Sequence, residues 1–141
     1  MKLILAVFVC LLAAAPALGQ TNGERPEEGP VLKIALAKEE KDGTITEDPP
    51  SFEPTDIPII CYIDLREETP ATVKLTIVAV KAVGLRPNTG IVTVAYRTKA
   101  GENQVTFQVQ PSKTWALGEY RADVFVDGKK SGERSFSVTK K

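Results

Sequence analysis

The stretch Trp115-Ala116-Leu117-Gly118-Glu119-Tyr120-Arg121-Ala122-Asp123-Val124-Phe125-Val126-Asp127-Gly128, closed by Ser135-Phe136-Ser137-Val138, decides the fold of this chain. From Tyr120 onward the apolar side chains fall at every second position, Tyr120, Ala122, Val124 and Val126. That is the period of a strand with one buried face. Asp127-Gly128 then interrupts the pattern with a residue pair that accepts positive φ, as a two-residue hairpin turn requires. Phe136 and Val138 resume the alternation, so residues 121–126 and 135–138 read as two arms of an antiparallel hairpin.

The same period extends backwards through the chain. In residues 104–110, Val105, Phe107 and Val109 point inward and Thr106 and Gln108 outward, until Pro111 ends the run. Residues 91–97 form another strand, reached through the Pro87-Asn88 loop and left through Lys99-Ala100-Gly101-Glu102-Asn103. Residues 73–83 are apolar on both faces through Ile77, Val78, Ala79 and Val80, as a central strand is. Residues 57–65 place Ile57, Ile59, Cys61, Ile63 and Leu65 on one face, and residues 31–37 do the same with Leu32, Ile34 and Leu36. The first strand breaks at Asp42-Gly43. The proline-rich passage 48–58 is expected to cross between sheets or follow an edge, because proline cannot donate to a ladder. Turn signals recur about every ten residues and no run carries a helical period, which is the pattern of an all-β antiparallel sandwich or barrel of about seven strands.

The chain has 141 residues, 43% hydrophobic and 26% charged, with 18 basic and 18 acidic side chains and no histidine. Lacking histidine, it cannot build a Ser-His-Asp or Cys-His centre, a histidine-ligated metal site or an imidazole pH switch. Residues 1–19 have the parts of a secretory signal: Lys2, an apolar run from Leu3 to Ala15, and a small-residue exit at Ala17-Leu18-Gly19. The apolar run is too short to span a bilayer, which takes about 20 residues. The chain is therefore expected to be secreted or periplasmic, without a membrane span. Residues 20–30 (QTNGERPEEGP) read as a flexible leader, and residues 31–141 as the folded domain.

Removing the signal leaves 17 basic and 18 acidic side chains and a single cysteine, Cys61, so no internal disulfide is expected. Cys61 lies on an apolar strand face that raises a thiol pKa, and reads as a structural core residue. Charge is uneven along the chain. Residues 20–70 carry 13 acids and 5 bases, and residues 71–141 carry 5 acids and 12 bases. The bases are scattered along strands without aromatic interleaving, which argues against a nucleic-acid surface. The expected arrangement is that strands of the two halves pair within one domain.

A tyrosine that follows a glycine turn and opens the penultimate strand, here Gly118-Glu119-Tyr120, resembles the tyrosine corner of immunoglobulin-like sandwiches. Other features in the same order are Leu32-Lys33-Ile34-Ala35-Leu36-Ala37-Lys38, Phe52-Glu53-Pro54-Thr55-Asp56, Pro87-Asn88-Thr89, Trp115-Ala116-Leu117-Gly118-Glu119-Tyr120 and Asp127-Gly128-Lys129 before Phe136. Together they resemble a family of secreted bacterial immunoglobulin-like domains without assigned function. Its usual Trp-Pro-x-Gly-x-Tyr is departed from at Ala116. The resemblance implies an immunoglobulin-like sandwich, with Cys61 and Ala122 where antibody domains place their bridge. It implies no activity, catalytic residue or cofactor.

Functional expectations follow from the outward-facing side chains. Acids such as Glu67, Glu68 and Asp64 read as solvated turn and edge residues rather than a hydrolytic pair, and the acids between Asp42 and Asp56 lack a calcium-loop pattern. The chain reads as a non-catalytic interaction domain that needs no cofactor. Its partner is an unidentified protein, or alternatively a glycan stacked on exposed aromatics. The candidate contacts are Trp115, Phe125, Tyr62 and Arg121, with Tyr120, Cys61 and Gly118 as structural residues. Trp115 has a competing role beneath the Tyr120 corner. Mass spectrometry of the exported chain should find Gln20 at its amino terminus, or Leu18 if Ala15-Pro16-Ala17 is the cleavage site.

Overall fold

Alternating burial builds eight strands and no helix among residues 29–140, which are the residues that the computed structural model describes. The expected signal segment 1–19, and the leader up to residue 28, lie outside the described residues. The strands are β1 (Val31–Glu39), β2 (Ile45–Glu47), β3 (Ile59–Leu65), β4 (Thr72–Ala82), β5 (Thr89–Arg97), β6 (Gln104–Val109), β7 (Gly118–Val126) and β8 (Lys129–Val138). They form two antiparallel sheets of four, ordered β2-β1-β3-β6 and β5-β4-β7-β8. This is the expected immunoglobulin-like β-sandwich. The strand beyond the expected seven is β2, three residues that pair with the end of β1 after the Asp42-Gly43 turn.

The inner faces of β3, β6 and β7 are those the alternation selected, and on β4, apolar on both sides, the packing makes the choice. Ile34, Leu36, Ile59, Cys61, Ile63, Leu65, Val105, Phe107 and Val109 come from the first sheet, and meet Val73, Leu75, Ile77, Ala79, Tyr120, Ala122 and Val124 from the second. Fully burying one such large aliphatic or aromatic side chain contributes about 1.5–3 kcal/mol, so this core holds the domain without a cross-link. Cys61, the one cysteine among the described residues, is free and buried.

Local departures from the sequence reading have visible causes. The β1–β3 register shifts between Val31 and Lys33, so Leu32 is an extra residue and stands 54% exposed, while Val31 packs on the core in its place. β3 begins at Ile59 because Ile57 and Pro58 still belong to the crossover, which leaves Ile57 exposed. β8 starts at Lys129, six residues earlier than the apolar pattern suggests. The Asp127-Gly128 turn, with φ of 51° and 85°, returns the chain directly onto β7, and a register shift at Val124/Phe125 absorbs Ser131. The polar run Lys129-Lys130-Ser131-Gly132-Glu133 thus forms strand without an apolar alternation.

Strands of the two charged halves pair within one domain as expected, but through a single strand pair. Residues before Pro70 supply β1, β2 and β3 to one sheet, and residues after it supply the whole of the other. Only β6 crosses over, to pair with β3. The proline-rich passage does follow an edge: Phe52 donates its N–H to the Ser137 carbonyl (2.9 Å) and accepts from the Thr139 N–H (2.8 Å), which covers the outer edge of β8.

Gly118 holds the start of β7 against the end of β4 at φ 150°. A Cβ there would sit 2.3 Å from the Lys81 carbonyl oxygen and 2.5 Å from Ala82 Cα. Backbone on both sides cannot yield as a flexible side chain would. Gly118→Ala should destabilise the domain by about 3 kcal/mol, read as a lowered Tm, whereas Gly43→Ala meets no atom within 4 Å and should cost less.

Candidate functional site

On the outer face of the second sheet, antiparallel register places side chains in cross-strand rows. One row is Ala95, Lys74, Phe125 and Lys130. The next is Thr93, Thr76, Asp123 and Glu133. Phe125 faces outward because it alternates with the buried Val124, and it is half-buried under its neighbours. The Lys74 ammonium lies 4.8 Å from the centre of its ring, a cation–π contact. Thr76 and Thr93 share a hydroxyl hydrogen bond of 3.1 Å beside it.

Arg121 and Asp123 stand two residues apart on the same strand face, so their side chains lie parallel. Arg121 donates from Nε to Asp123 Oδ1 (2.6 Å) and from Nη2 to Oδ2 (3.0 Å), a bidentate pair. Lys130 Nζ approaches Asp123 Oδ1 at 3.4 Å and donates to Glu133 Oε1 at 2.7 Å. Asp123 is 5% exposed, covered by the longer chains it holds. Burial works against its ionisation, but the hydrogen bonds and charges of Arg121 and Lys130 outweigh this and keep its carboxyl below the usual carboxylate range. The hydrogen bond to Asp123 raises Arg121, and the hydrogen bond to Glu133 raises Lys130. Arg121, Asp123 and Lys130 are therefore charged at neutral pH. The face presents an aromatic ring flanked by a fixed array of two cations and two anions.

The four candidate contacts do not form one site. Phe125 and Arg121 share this face. Tyr62 lies on the outer face of the opposite sheet, beside a shallow cleft of about 370 Å³ with Lys33, Ala35, Glu47, Asp64 and Gln104, where Gln104 donates to Asp64 at 2.8 Å.

Trp115 is in neither place. It is 1% exposed, donates its indole N–H to the Asp56 carbonyl (3.0 Å) and its backbone N–H to the Pro54 carbonyl (3.1 Å), and meets Tyr120 edge-on. Its ring cannot stack on a ligand, so of its two sequence roles the structure gives it the one beneath the corner. Tyr120 completes that corner by donating its hydroxyl to the Ala116 carbonyl at 2.7 Å.

Sequence reasoning missed Lys74, Lys130 and Glu133. Lys74 reaches Phe125 only through the β4–β7 register, and Lys130 and Glu133 join the array only because β8 begins at Lys129. The Arg121-x-Asp123 spacing on a strand was the one local signal. Chemically reactive groups are not gathered here. Burial pushes the Cys61 thiol up to about 12, and among the described residues no three His, Cys, Asp or Glu side chains cluster to hold a metal ion. No helix among these residues is long and apolar enough to cross a membrane. Compared with protein-family models the sequence matches none, and compared with curated proteins it has no significant match.

A carboxyl whose folded pKa is depressed contributes stability above its unfolded pKa, and that contribution is lost as pH falls through the folded value. Asp123 is such a group. Stability should therefore decline as pH drops below about 4, and Asp123→Asn should reduce both the Tm at neutral pH and this acid-side slope. An unchanged slope in the variant would assign the acid sensitivity to other carboxylates.

Proposed function

We propose that this chain is a secreted or periplasmic, non-catalytic interaction domain of the immunoglobulin-like kind, related to the secreted bacterial domains it resembles, which holds a protein partner on the outer face of β4, β7 and β8. The observation that carries this reading is Phe125: an aromatic ring left facing outward on a strand, capped by Lys74 and bordered by the Arg121–Asp123–Lys130–Glu133 array. Aromatic and arginine side chains are the residue types that dominate binding energy at protein interfaces. Charges already held in place by one another lose little side-chain freedom when a partner arrives. The absence of histidine and the enclosed, high-pKa thiol of Cys61 support a role in binding rather than nucleophilic catalysis. The glycan alternative rested chiefly on Trp115, and the burial of that ring leaves it without its principal residue.

Affinity capture from the envelope and secreted extract of the source, with wild type and Phe125→Ala in parallel, tests the reading. The variant should lose about tenfold or more in affinity for the captured protein while its Tm stays close to wild type, because the ring is only half-buried. Capture should also weaken as salt rises toward 1 M, where the screening length falls to about 3 Å. Equal capture by wild type and Phe125→Ala would remove this face from the interaction.

A further inference from the structure

A sandwich with open sheets must manage its edge strands, whose free N–H and C=O groups template pairing with other chains. Three of the four edges here are managed. Phe52 covers the Val138 end of β8, whose remainder carries Lys129, Lys130, Glu133 and Arg134. β2 is three residues long, and beside it Asp48 closes β1, its N–H donating to the Leu36 carbonyl (2.6 Å) and its Oδ1 accepting the Leu36 N–H (3.1 Å). Arg134 donates to the Ile34 carbonyl at 2.7 Å, one step along. β6 is six residues long, is followed by Pro111, and has its inward row Val105, Phe107 and Val109 fully covered.

β5 is different. After the register shift opposite Ile77/Val78, residues 92–96 (Val-Thr-Val-Ala-Tyr) run without charge, proline or glycine. Their inward row Val92, Val94 and Tyr96, which registers with Ile77, Leu75 and Val73, is incompletely covered: the two valines are half-buried and Tyr96 is 37% exposed. Among the described residues this is the edge that combines an open ladder with an apolar row still partly in water.

We propose that β5 pairs antiparallel with β5 of a second copy of this chain about a two-fold axis at Val94, which joins the two four-stranded sheets into one. In that register Val94 faces its counterpart, and Val92 of each copy meets Tyr96 of the other, a β-branched residue against an aromatic. The row is thus its own complement, as an isologous contact requires. Charge selects this direction. Arg97, the one charged residue of β5, lies three positions from the axis, so the two copies of it stand about 20 Å apart at 3.4 Å per residue. Parallel in-register pairing would set them side by side. A foreign strand could use the ladder, but nothing on this uncharged row would select it over the chain's own matching edge.

The test is sedimentation velocity over a concentration series with oxidative cross-linking of cysteine variants. Wild type should move from one to two chain masses with rising concentration. Val94→Cys conserves size and should form a disulfide-linked dimer, since directly facing residues of antiparallel strands have Cα atoms about 4.5–5.5 Å apart, within disulfide range. Thr106→Cys on the β6 edge should not, and in a chain begun at Gln20, which lacks Cys10, the other cysteine is the buried Cys61. Val94→Lys should weaken the dimer about a hundredfold by placing like charges on the axis, and mixing it with Val94→Glu should restore association. A wild type that stays monomeric, a dimer unaffected by Val94→Lys, or Val94→Cys that does not cross-link overturns the proposal. If Val94→Lys does not fold, the cysteine variant decides alone. Phe125→Ala should leave the dimer intact, so this inference and the partner face fail separately.

Discussion

Two long crossovers, residues 48–58 and 110–117, reach the same end of the sandwich, and the indole of Trp115 joins them. Its backbone and side-chain N–H groups donate to the Pro54 and Asp56 carbonyls, so both donors of this enclosed residue are paired. Its ring packs edge-on against Tyr120 and Phe136, and Phe136 stacks on Tyr120 and meets Phe52. The four rings come from both crossovers and from β7 and β8, so the order of the two sheets at this end depends on one aromatic cluster. Such ring pairs contribute about 0.5–1.5 kcal/mol each beyond the area they bury.

The cluster also explains why the edges differ. By fixing the proline-rich crossover, Trp115 holds Phe52 on the outer edge of β8, and Asp48 a few residues earlier meets Arg134 at 2.9 Å and caps β1. One side of the sandwich is thereby closed by the chain itself. On the opposite side residues 98–103 join β5 to β6, with the Tyr96 hydroxyl donating to Glu102 at 2.9 Å, and there the ladder of β5 remains open.

The outer face of the second sheet is held by different physics. Asp123 sits on a solvent-side strand position yet is nearly enclosed, because Arg121 and Lys130 fold over it. Exposed ion pairs contribute little singly, about 0–1 kcal/mol, but a network around one shielded carboxylate fixes several side chains at once. The segregation of acidic and basic halves onto opposite sheets means that this fixed array sits on the more basic layer of the domain.

Sequence by itself determined the all-β class, the inward faces of β3, β6 and β7, the Asp127-Gly128 hairpin and the tyrosine corner. Each of these is written in period-two alternation or in the φ demands of one or two residues, which are local. Tertiary structure alone decided the rest. Leu32 is exposed because the register slips by one residue beside it, and the polar start of β8 is strand because a tight turn leaves it no other path. Lys74 meets Phe125 through the pairing of strands some fifty residues apart in sequence. Trp115 is enclosed rather than offered to solvent because carbonyls of a distant crossover accept its N–H groups. Alternation states which side of a strand a residue occupies, but which strand lies next to it, and what covers an end or an edge, is set by long-range packing that no local pattern encodes.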